Sequence, residues 1–166
     1  MTQQERLLAA RALLDACTPL TRDCGVYCGA ACCQGDEKGQ GGMMLFPGEI
    51  AQYTPVPDWA RITLLPHIVD GEPLRMLTCR GTCPRTSRPL ACRIFPLTPV
   101  LRAERLEIEL DVRAWPVCPL MPHGVAGLQS AFVTAVRDAM TVLLEDPACR
   151  AYFAFLSEWL AQYQTF

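Results

Sequence analysis

The stretch CGVYCGAACC, running from Cys24 to Cys33, holds four of the ten cysteines in the chain. Two successive steps within it are four residues long, from Cys24 to Cys28 and from Cys28 to Cys32. On a helical turn that spacing stacks side chains on one face, with Cβ atoms roughly 5–6 Å apart. Two thiolates at that separation can bind one metal ion, because Zn–S bonds are about 2.3 Å long. The intervening glycines also permit a tight loop that would bring the sulfur atoms together equally well, so helix and loop both remain open.

A second group of cysteines follows about fifty residues after the first and repeats the four-residue step. Its members are Cys79, Cys83 and Cys92, and Cys118 lies further along the chain. We expect the two groups to converge in space, because a predicted hairpin delivers Cys79 at its exit. The region 24–118 is therefore predicted to be the metal-binding part of the chain.

The composition of the 166 residues indicates a globular protein with a core of its own. Hydrophobic residues make up 51% and charged residues 19%, so disorder is not expected. The net charge of −2 suggests neither nucleic acid nor an anionic membrane surface as the main partner. No apolar run reaches the length of a transmembrane helix, and charged residues interrupt the first residues where a signal peptide needs an apolar run. We therefore expect a single cytoplasmic domain, 1–166.

The density of cysteines means something different in a cytoplasmic protein than in a secreted one. Disulfides would suit a small secreted domain, whereas the same density in a cytoplasmic chain indicates metal binding. The chain also has enough apolar residues to form a core without covalent crosslinks. We therefore favour metal ligation by thiolates, and keep disulfides and buried or redox-active thiols as alternatives.

Hydrophobic periodicity predicts helices at both ends of the chain and strands between them. The pair Asp70-Gly71 indicates a hairpin turn, and Asp146-Pro147 indicates the start of the last helix. The predicted helices are 3–16, 125–144 and 147–162, and the predicted strands are 61–69, 74–78, 100–102 and 106–112. The expected fold class is α+β, with a small antiparallel sheet, terminal helices and irregular loops organised around a cysteine-bound metal centre.

Three motifs of the chain stand out together: Cys28-x3-Cys32-Cys33, Phe46-Pro47-Gly48-Glu49 and Arg88-Pro89-x2-Cys92-Arg93-x-Phe95-Pro96. In combination they resemble the YkgJ-type cysteine-cluster family, over roughly residues 24–118 and without the terminal helices. That family is described as a zinc- or iron-chelating domain and includes the flagellin lysine N-methylase, while most of its members have no assigned function. The resemblance therefore implies a metal-binding domain and does not say what the metal does.

Eight cysteines in this region are the candidate metal ligands: Cys24, Cys28, Cys32, Cys33, Cys79, Cys83, Cys92 and Cys118. Eight thiolates fit two four-coordinate sites or one polynuclear cluster. Cys32 and Cys33 are adjacent, and neighbouring side chains rarely converge on one ion in a tetrahedral site. They are expected to bind different ions, or one of them packs in the core instead. Cys17 and Cys149 are not expected to bind metal, because each falls on the apolar stripe of a terminal helix.

Arginines and histidines near the cysteines are the candidates for supporting roles. Four thiolates around a divalent zinc ion carry a net charge of −2, which is costly to bury without a counter-charge. Four arginines interleaved with the second cysteine group could donate hydrogen bonds to sulfur: Arg80, Arg85, Arg88 and Arg93. We favour Arg93 for this role and expect Arg80 and Arg85 to face solvent. His67 is predicted to lie on a strand far from the cysteines, and His123 is a less favoured additional ligand that follows the last candidate cysteine closely.

The function predicted from these features is metal binding, with zinc as the expected metal and a role that is structural or unassigned. One alternative is an iron–sulfur protein for electron transfer or redox sensing, because soft sulfur donors suit both kinds of centre. Another, which rests on the resemblance alone, is a cluster-dependent protein lysine N-methyltransferase. A saturated all-cysteine centre would favour a structural or electron-transfer role, whereas an open coordination position would favour catalysis.

Overall fold

The secondary structure makes the chain an α+β protein with helices and small antiparallel sheets, which confirms the α+β class and the antiparallel pairing that the sequence predicts. The structure is a computed structural model, and it describes residues 1–34, 41–81 and 83–165. The α-helices in these residues are α1 (Gln3–Leu14), α2 (Cys24–Cys28), α3 (Leu90–Ile94), α4 (Ser130–Leu144) and α5 (Pro147–Ala161). The strands are β1 (Met43–Met44), β2 (Ala60–Val69), β3 (Glu72–Cys79), β4 (Leu97–Arg102) and β5 (Arg105–Leu110).

Helix α1 ends earlier than predicted, at Leu14 rather than at residue 16. Just beyond its end, the Arg85 guanidinium donates hydrogen bonds to the carbonyl oxygens of Asp15 and Cys17, at 3.1 and 3.2 Å. These carbonyls are satisfied by a side chain instead of by another helical turn. The expectation that Cys17 lies on the helical stripe was therefore wrong, because this residue belongs to the segment that follows the helix.

A three-stranded antiparallel sheet has the order β1-β3-β2. Strands β2 and β3 form the predicted hairpin, and its turn residues Asp70 and Gly71 have φ angles of 52° and 79°. Strand β1 pairs with the other edge of β3, where Met44 lies opposite Met76. Strand β3 ends at Cys79, so the hairpin delivers this cysteine at its exit as the sequence predicts.

Strands β4 and β5 form a second, two-stranded sheet, so the described strands make two sheets where one was expected. Their connecting turn consists of Ala103 and Glu104, with φ angles of 46° and 65°. Helix α5 covers the free edge of β4, where the Ser157 hydroxyl accepts a hydrogen bond from Leu101 N at 2.8 Å. The helix thus occupies the edge at which β4 would otherwise be open to a further strand.

The main core lies between the helices at the two ends of the chain. Helix α1 packs against α4, and α5 packs against α4 and β4. Side chains from all three helices are fully buried there, among them Leu7, Phe132, Val136 and Phe153. No helix in the described parts of the chain is both long and apolar enough to cross a membrane.

Helix α4 begins five residues later than predicted, at Ser130 rather than at residue 125. The preceding segment forms two 3-10 turns, Met121–His123 and Val125–Gly127. A Cβ atom added at Gly127 would lie 2.5 Å from the Cβ of His123, so this tight path requires glycine. The helical periodicity of the sequence therefore extends further than the helix itself.

Helix α5 begins as predicted and buries Cys149. The Asp146 carboxylate accepts a hydrogen bond from Cys149 N at 3.0 Å, and Pro147 occupies the first turn. Cys149 is fully buried in the main core, where it packs as a small apolar residue.

Candidate metal centre

The first cysteine segment combines a short helix with a left-handed bend. Helix α2 carries Cys24 and Cys28 at its two ends, one helical turn apart. Gly29 and Ala30 then adopt φ angles of 63° and 56°, which end the helix before Cys32. Both of the local structures that the sequence leaves open are therefore present, the helix first and the tight bend after it.

The second cysteine segment starts at the end of a strand and continues into a short helix. Cys79 is the last residue of β3, and the loop that follows carries Cys83. Helix α3 carries Cys92. Cys118 lies in a turn further along, where its backbone N–H donates to Ala114 O at 2.8 Å. Four different local structures thus present the four cysteines.

The fold brings the two cysteine groups around two adjoining cavities. The first, which we call the α2 cavity, has a volume of about 60 Å³, and its cysteines are Cys17, Cys24, Cys28, Cys32, Cys92 and Cys118. The second, the hairpin cavity, has a volume of about 20 Å³, and its cysteines are Cys32, Cys33, Cys79, Cys83 and Cys92. Each of the eight candidate ligands therefore lines one cavity or both.

Burial and mutual repulsion keep several of these thiols protonated. Burial is the main cause that raises the pKa of Cys24, and the charges of Cys28 and Cys118 add to the shift. Burial likewise raises the pKa of Cys79 to about 11, with a further contribution from Cys83. Within each cavity, the ionisation of one thiol therefore disfavours the ionisation of the next.

The adjacent residues Cys32 and Cys33 are hydrogen-bonded through their side chains. The Cys32 thiol donates to the Cys33 sulfur, which raises the pKa of Cys32 and lowers the pKa of Cys33 to about 6. Burial opposes the shift at Cys33, and the positive charge of Arg88 favours it. Cys33 is therefore a thiol that ionises near neutral pH.

Arg88 is the arginine that faces the sulfur atoms. Its guanidinium donates a hydrogen bond to the Cys83 sulfur, and its charge interacts with Cys33 and Cys92. The side chain lines both cavities, and its Nε–H is buried without a hydrogen-bond partner among the described residues. Buried donors are nearly always paired in folded proteins, so this N–H marks a place where an acceptor is missing.

Arg93 was expected to donate to sulfur, but among the described residues it donates to oxygen atoms. Its partners are the Asp15 carboxylate and the carbonyl oxygens of Arg85, Thr86 and Arg88. One planar guanidinium thus holds three carbonyl groups of the loop before α3. Arg93 therefore fixes the backbone at Arg88 rather than the sulfur atoms.

Among the other polar candidates, Arg85 is exposed as expected, although its side chain also lines the α2 cavity. Arg80 is exposed, as expected, and neither histidine is among the described residues that line the two cavities. His67 packs against the rings of Phe155 and Trp159, with ring centroids 5.3 and 6.1 Å away. His123 is exposed in its 3-10 turn.

Cys17 lines the α2 cavity, which the sequence analysis missed because it placed this residue on the first helix. The Thr18-Pro19 pair predicts that a helix ends nearby but does not fix its last residue, so no local signal moves Cys17 off the helix. The Cys17 side chain also packs against the main core, as those of Cys24 and Cys118 do. It belongs to the cavity wall, and its exclusion from the metal ligands stays a prediction.

The donor chemistry of the cavities fits a thiophilic metal ion, although the side chains are not placed to bind one as they stand. Among residues 1–34, 41–81 and 83–165, no three Cys, His, Asp or Glu side chains are arranged to hold a metal ion. All ten cysteines are free thiols, and the pairs Cys32–Cys33 and Cys79–Cys83 hydrogen-bond to each other. Metal ions bind thiolates, so binding would require loss of these protons and rotation of the side chains.

The chemistry open to these cavities follows from their own residues. The donors are thiols, and the walls come from α2, α3, the end of β3 and the turn at Cys118. Three arginines, Arg85, Arg88 and Arg93, line the α2 cavity, and Arg88 also lines the hairpin cavity. Comparison of the chain with protein-family models, with curated proteins and with solved structures finds no match.

Proposed function

We infer that the chain binds metal ions, with zinc as the expected metal, through the thiolates of the eight candidate cysteines. The observation that carries this proposal is the arrangement of two cysteine groups, about fifty residues apart in sequence, around two adjoining cavities. Packing alone gives no reason for so many thiols in one place, because other small apolar residues would fill the space without susceptibility to oxidation. The resemblance to the YkgJ-type cysteine-cluster family supports the same proposal.

The residues around the cavities have the properties that a thiolate centre requires. Burial raises the pKa of Cys24, Cys79 and Cys92, so these thiols stay protonated in the metal-free chain and release protons on binding. Arg88 offsets part of the negative charge of the thiolates. Zinc, when bound, would crosslink loops that have little core of their own. The proposed role is therefore structural, in the segments that carry the cysteines.

An iron–sulfur centre is the alternative that the same donors allow, because soft sulfur ligands suit zinc and iron–sulfur clusters alike. The sequence contains neither the Cys-x2-Cys-x2-Cys run nor the plant-type spacing of common clusters, so we rank zinc first. A cluster-dependent lysine N-methyltransferase has only the family resemblance in its favour.

Metal analysis of the full chain tests the proposal. Protein purified in air is expected to be colourless and to contain stoichiometric zinc, measured by elemental analysis and absorption spectroscopy. Brown protein from an oxygen-free purification, with iron and acid-labile sulfide near stoichiometric amounts, would assign an iron–sulfur centre instead. A chain that holds no metal under either condition and takes up no added zinc would refute metal binding.

Two double variants separate specific ligation from unspecific binding to thiols. Replacing Cys79 and Cys83 by serine removes two candidate ligands and should lower the metal content. Replacing Cys17 and Cys149 by alanine removes the same number of cysteines outside the candidate set and should leave it unchanged. Equal metal content in the two double variants would refute the assignment of the ligands.

A further inference from the structure

The cavity walls divide the candidate cysteines into two sets. Three of them line only the α2 cavity: Cys24, Cys28 and Cys118. Three others line only the hairpin cavity: Cys33, Cys79 and Cys83.

The two remaining cysteines, Cys32 and Cys92, line both cavities. Cys32 directly precedes Cys33, and adjacent side chains rarely converge on one tetrahedral ion, so we assign Cys32 to the α2 cavity. Cys92 then completes the hairpin set. Each set then contains four thiols, the number that a tetrahedral zinc site takes.

The size of the cavities and the position of Arg88 favour separate ions over one large cluster. The hairpin cavity, at about 20 Å³, has room for about one water-sized sphere, which needs roughly 10–15 Å³. Four thiolates and one divalent ion carry a charge of −2 at each site. The Arg88 guanidinium lines both cavities, so its positive charge reduces the repulsion between the two sites.

We propose that the chain binds two divalent, thiophilic metal ions at two four-thiolate sites. The first site consists of Cys24, Cys28, Cys32 and Cys118, and the second consists of Cys33, Cys79, Cys83 and Cys92. This division rests on the proposed function of metal binding by the cysteines. The first site joins α2 to the turn that precedes α4, and the second joins the end of β3 to α3.

Cadmium NMR on the full chain tests the division, because cadmium replaces zinc in thiolate sites and each site gives its own resonance. We expect two resonances of equal intensity, and two cadmium ions per chain by native mass spectrometry. Serine keeps the size of cysteine and removes the soft donor, so Cys118→Ser should remove one resonance and one ion. Cys79→Ser should remove the other resonance, and Cys17→Ser should keep both. The control Cys149→Ala, at a cysteine of the main core that lines neither cavity, should also keep both.

Each other outcome has a distinct meaning. Any of three results would overturn the division into two sites. These are one resonance or one ion per chain, loss of all ions together in a single variant, and loss of the same resonance in both ligand variants. Loss of a resonance in Cys17→Ser would overturn the composition of the first site. A chain that binds no cadmium would instead refute the proposed function itself. The ion count of the unmodified chain decides the question even where a variant fails to fold.

Discussion

Glu49 Oε1 accepts a hydrogen bond from the backbone N–H of Leu90 at 2.8 Å and so joins segments 41 residues apart. Its other carboxylate oxygen accepts from Phe46 N at 3.0 Å, and Arg11 Nη1 donates to Oε1 at 3.3 Å. Glu49 is entirely buried, so these partners replace the water that an exposed carboxylate would bind. The start of α3, two residues before Cys92, is thereby fixed to α1 and to the turn that precedes Glu49.

Glu49→Gln is expected to destabilise the fold strongly. The amide keeps the size of the side chain but loses the charge that pairs with Arg11. Its NH2 group would also face the backbone N–H of Leu90 or of Phe46, so two donors would oppose each other. Removing one partner of a buried ion pair typically costs about 3–5 kcal/mol of unfolding free energy. Urea unfolding measures this loss. Glu104→Gln, which removes an exposed partner of Arg150, is the control and should cost less than about 1 kcal/mol. Similar small losses in both variants would argue against the role of Glu49.

Arg88→Met is expected to weaken metal binding while leaving the fold intact. The variant removes a positive charge and the hydrogen bond to Cys83. Loss of a group that hydrogen-bonds to a metal ligand typically lowers affinity by about 10- to 100-fold. Competition with a chromophoric chelator measures the affinity, and Arg80→Met, at an exposed position, is the matched control. Equal affinities in the two variants would show that the Arg88 guanidinium does not act on the thiolates.

Cys33 is expected to be alkylated first in the metal-free chain at neutral pH. Its pKa is lowered to about 6, whereas the pKa of Cys79 is raised to about 11, and only thiolates react with iodoacetamide. The rate at Cys33 should rise as the pH passes about 6 and level off above about 7, because deprotonation is then complete. Peptide mapping by mass spectrometry over about pH 5 to 8 measures both residues.

The matched variant for this experiment is Cys32→Ala, which removes the donor of the hydrogen bond to Cys33. Without that donor the pKa of Cys33 should rise towards its ordinary value, and alkylation at pH 7 should slow. An unchanged rate profile in the variant would show that the neighbouring thiol does not set the reactivity of Cys33.

The sequence predicts secondary structure best where a local rule governs it. The Asp70-Gly71 turn and the Asp146-Pro147 helix start are both confirmed, because turn conformation and helix capping depend on neighbouring residues alone. The end of α1 is different. It falls at Leu14 because Arg85, from a distant loop, binds the carbonyl groups that follow, and no local pattern encodes such a contact.

The candidate site was also predicted where neighbouring residues decide and missed where distant contacts decide. Spacing in the sequence is enough to name eight cysteines, and the fold places all of them around two cavities. Spacing cannot tell which arginine contacts the sulfur atoms. Arg93 is adjacent to Cys92 in sequence but turns towards loop carbonyls, whereas Arg88 reaches the sulfur atoms from the segment before α3. The direction of the Arg88 side chain depends on the backbone path of the loop before α3, and Arg93 fixes that path through its hydrogen bonds.

Metal removal is expected to loosen the cysteine segments before it loosens the terminal helices. None of the residues 24–34 is fully buried, so this stretch has little apolar packing to hold it. The described part of 79–96 consists of loop segments, a 3-10 turn and the short helix α3. Helices α4 and α5, in contrast, place Phe132, Val136 and Phe153 fully in the main core. If metal ligation contributes folding free energy to these loops, removal of the metal should destabilise them before it destabilises the helices.

Hydrogen exchange followed by mass spectrometry, before and after chelation, measures this difference. Amides in 24–34 and 79–96 should exchange faster without metal, while those of α4 and α5 keep their protection. The β4–β5 hairpin is an internal control, because it is also a small antiparallel structure but carries no cysteine. Its protection should not change, since its stability comes from packing against α5. Equal protection in all segments with and without metal would mean that the thiolates do not support the loops. A loss spread evenly over all of them would mean that the whole fold, as in small zinc domains, depends on the metal.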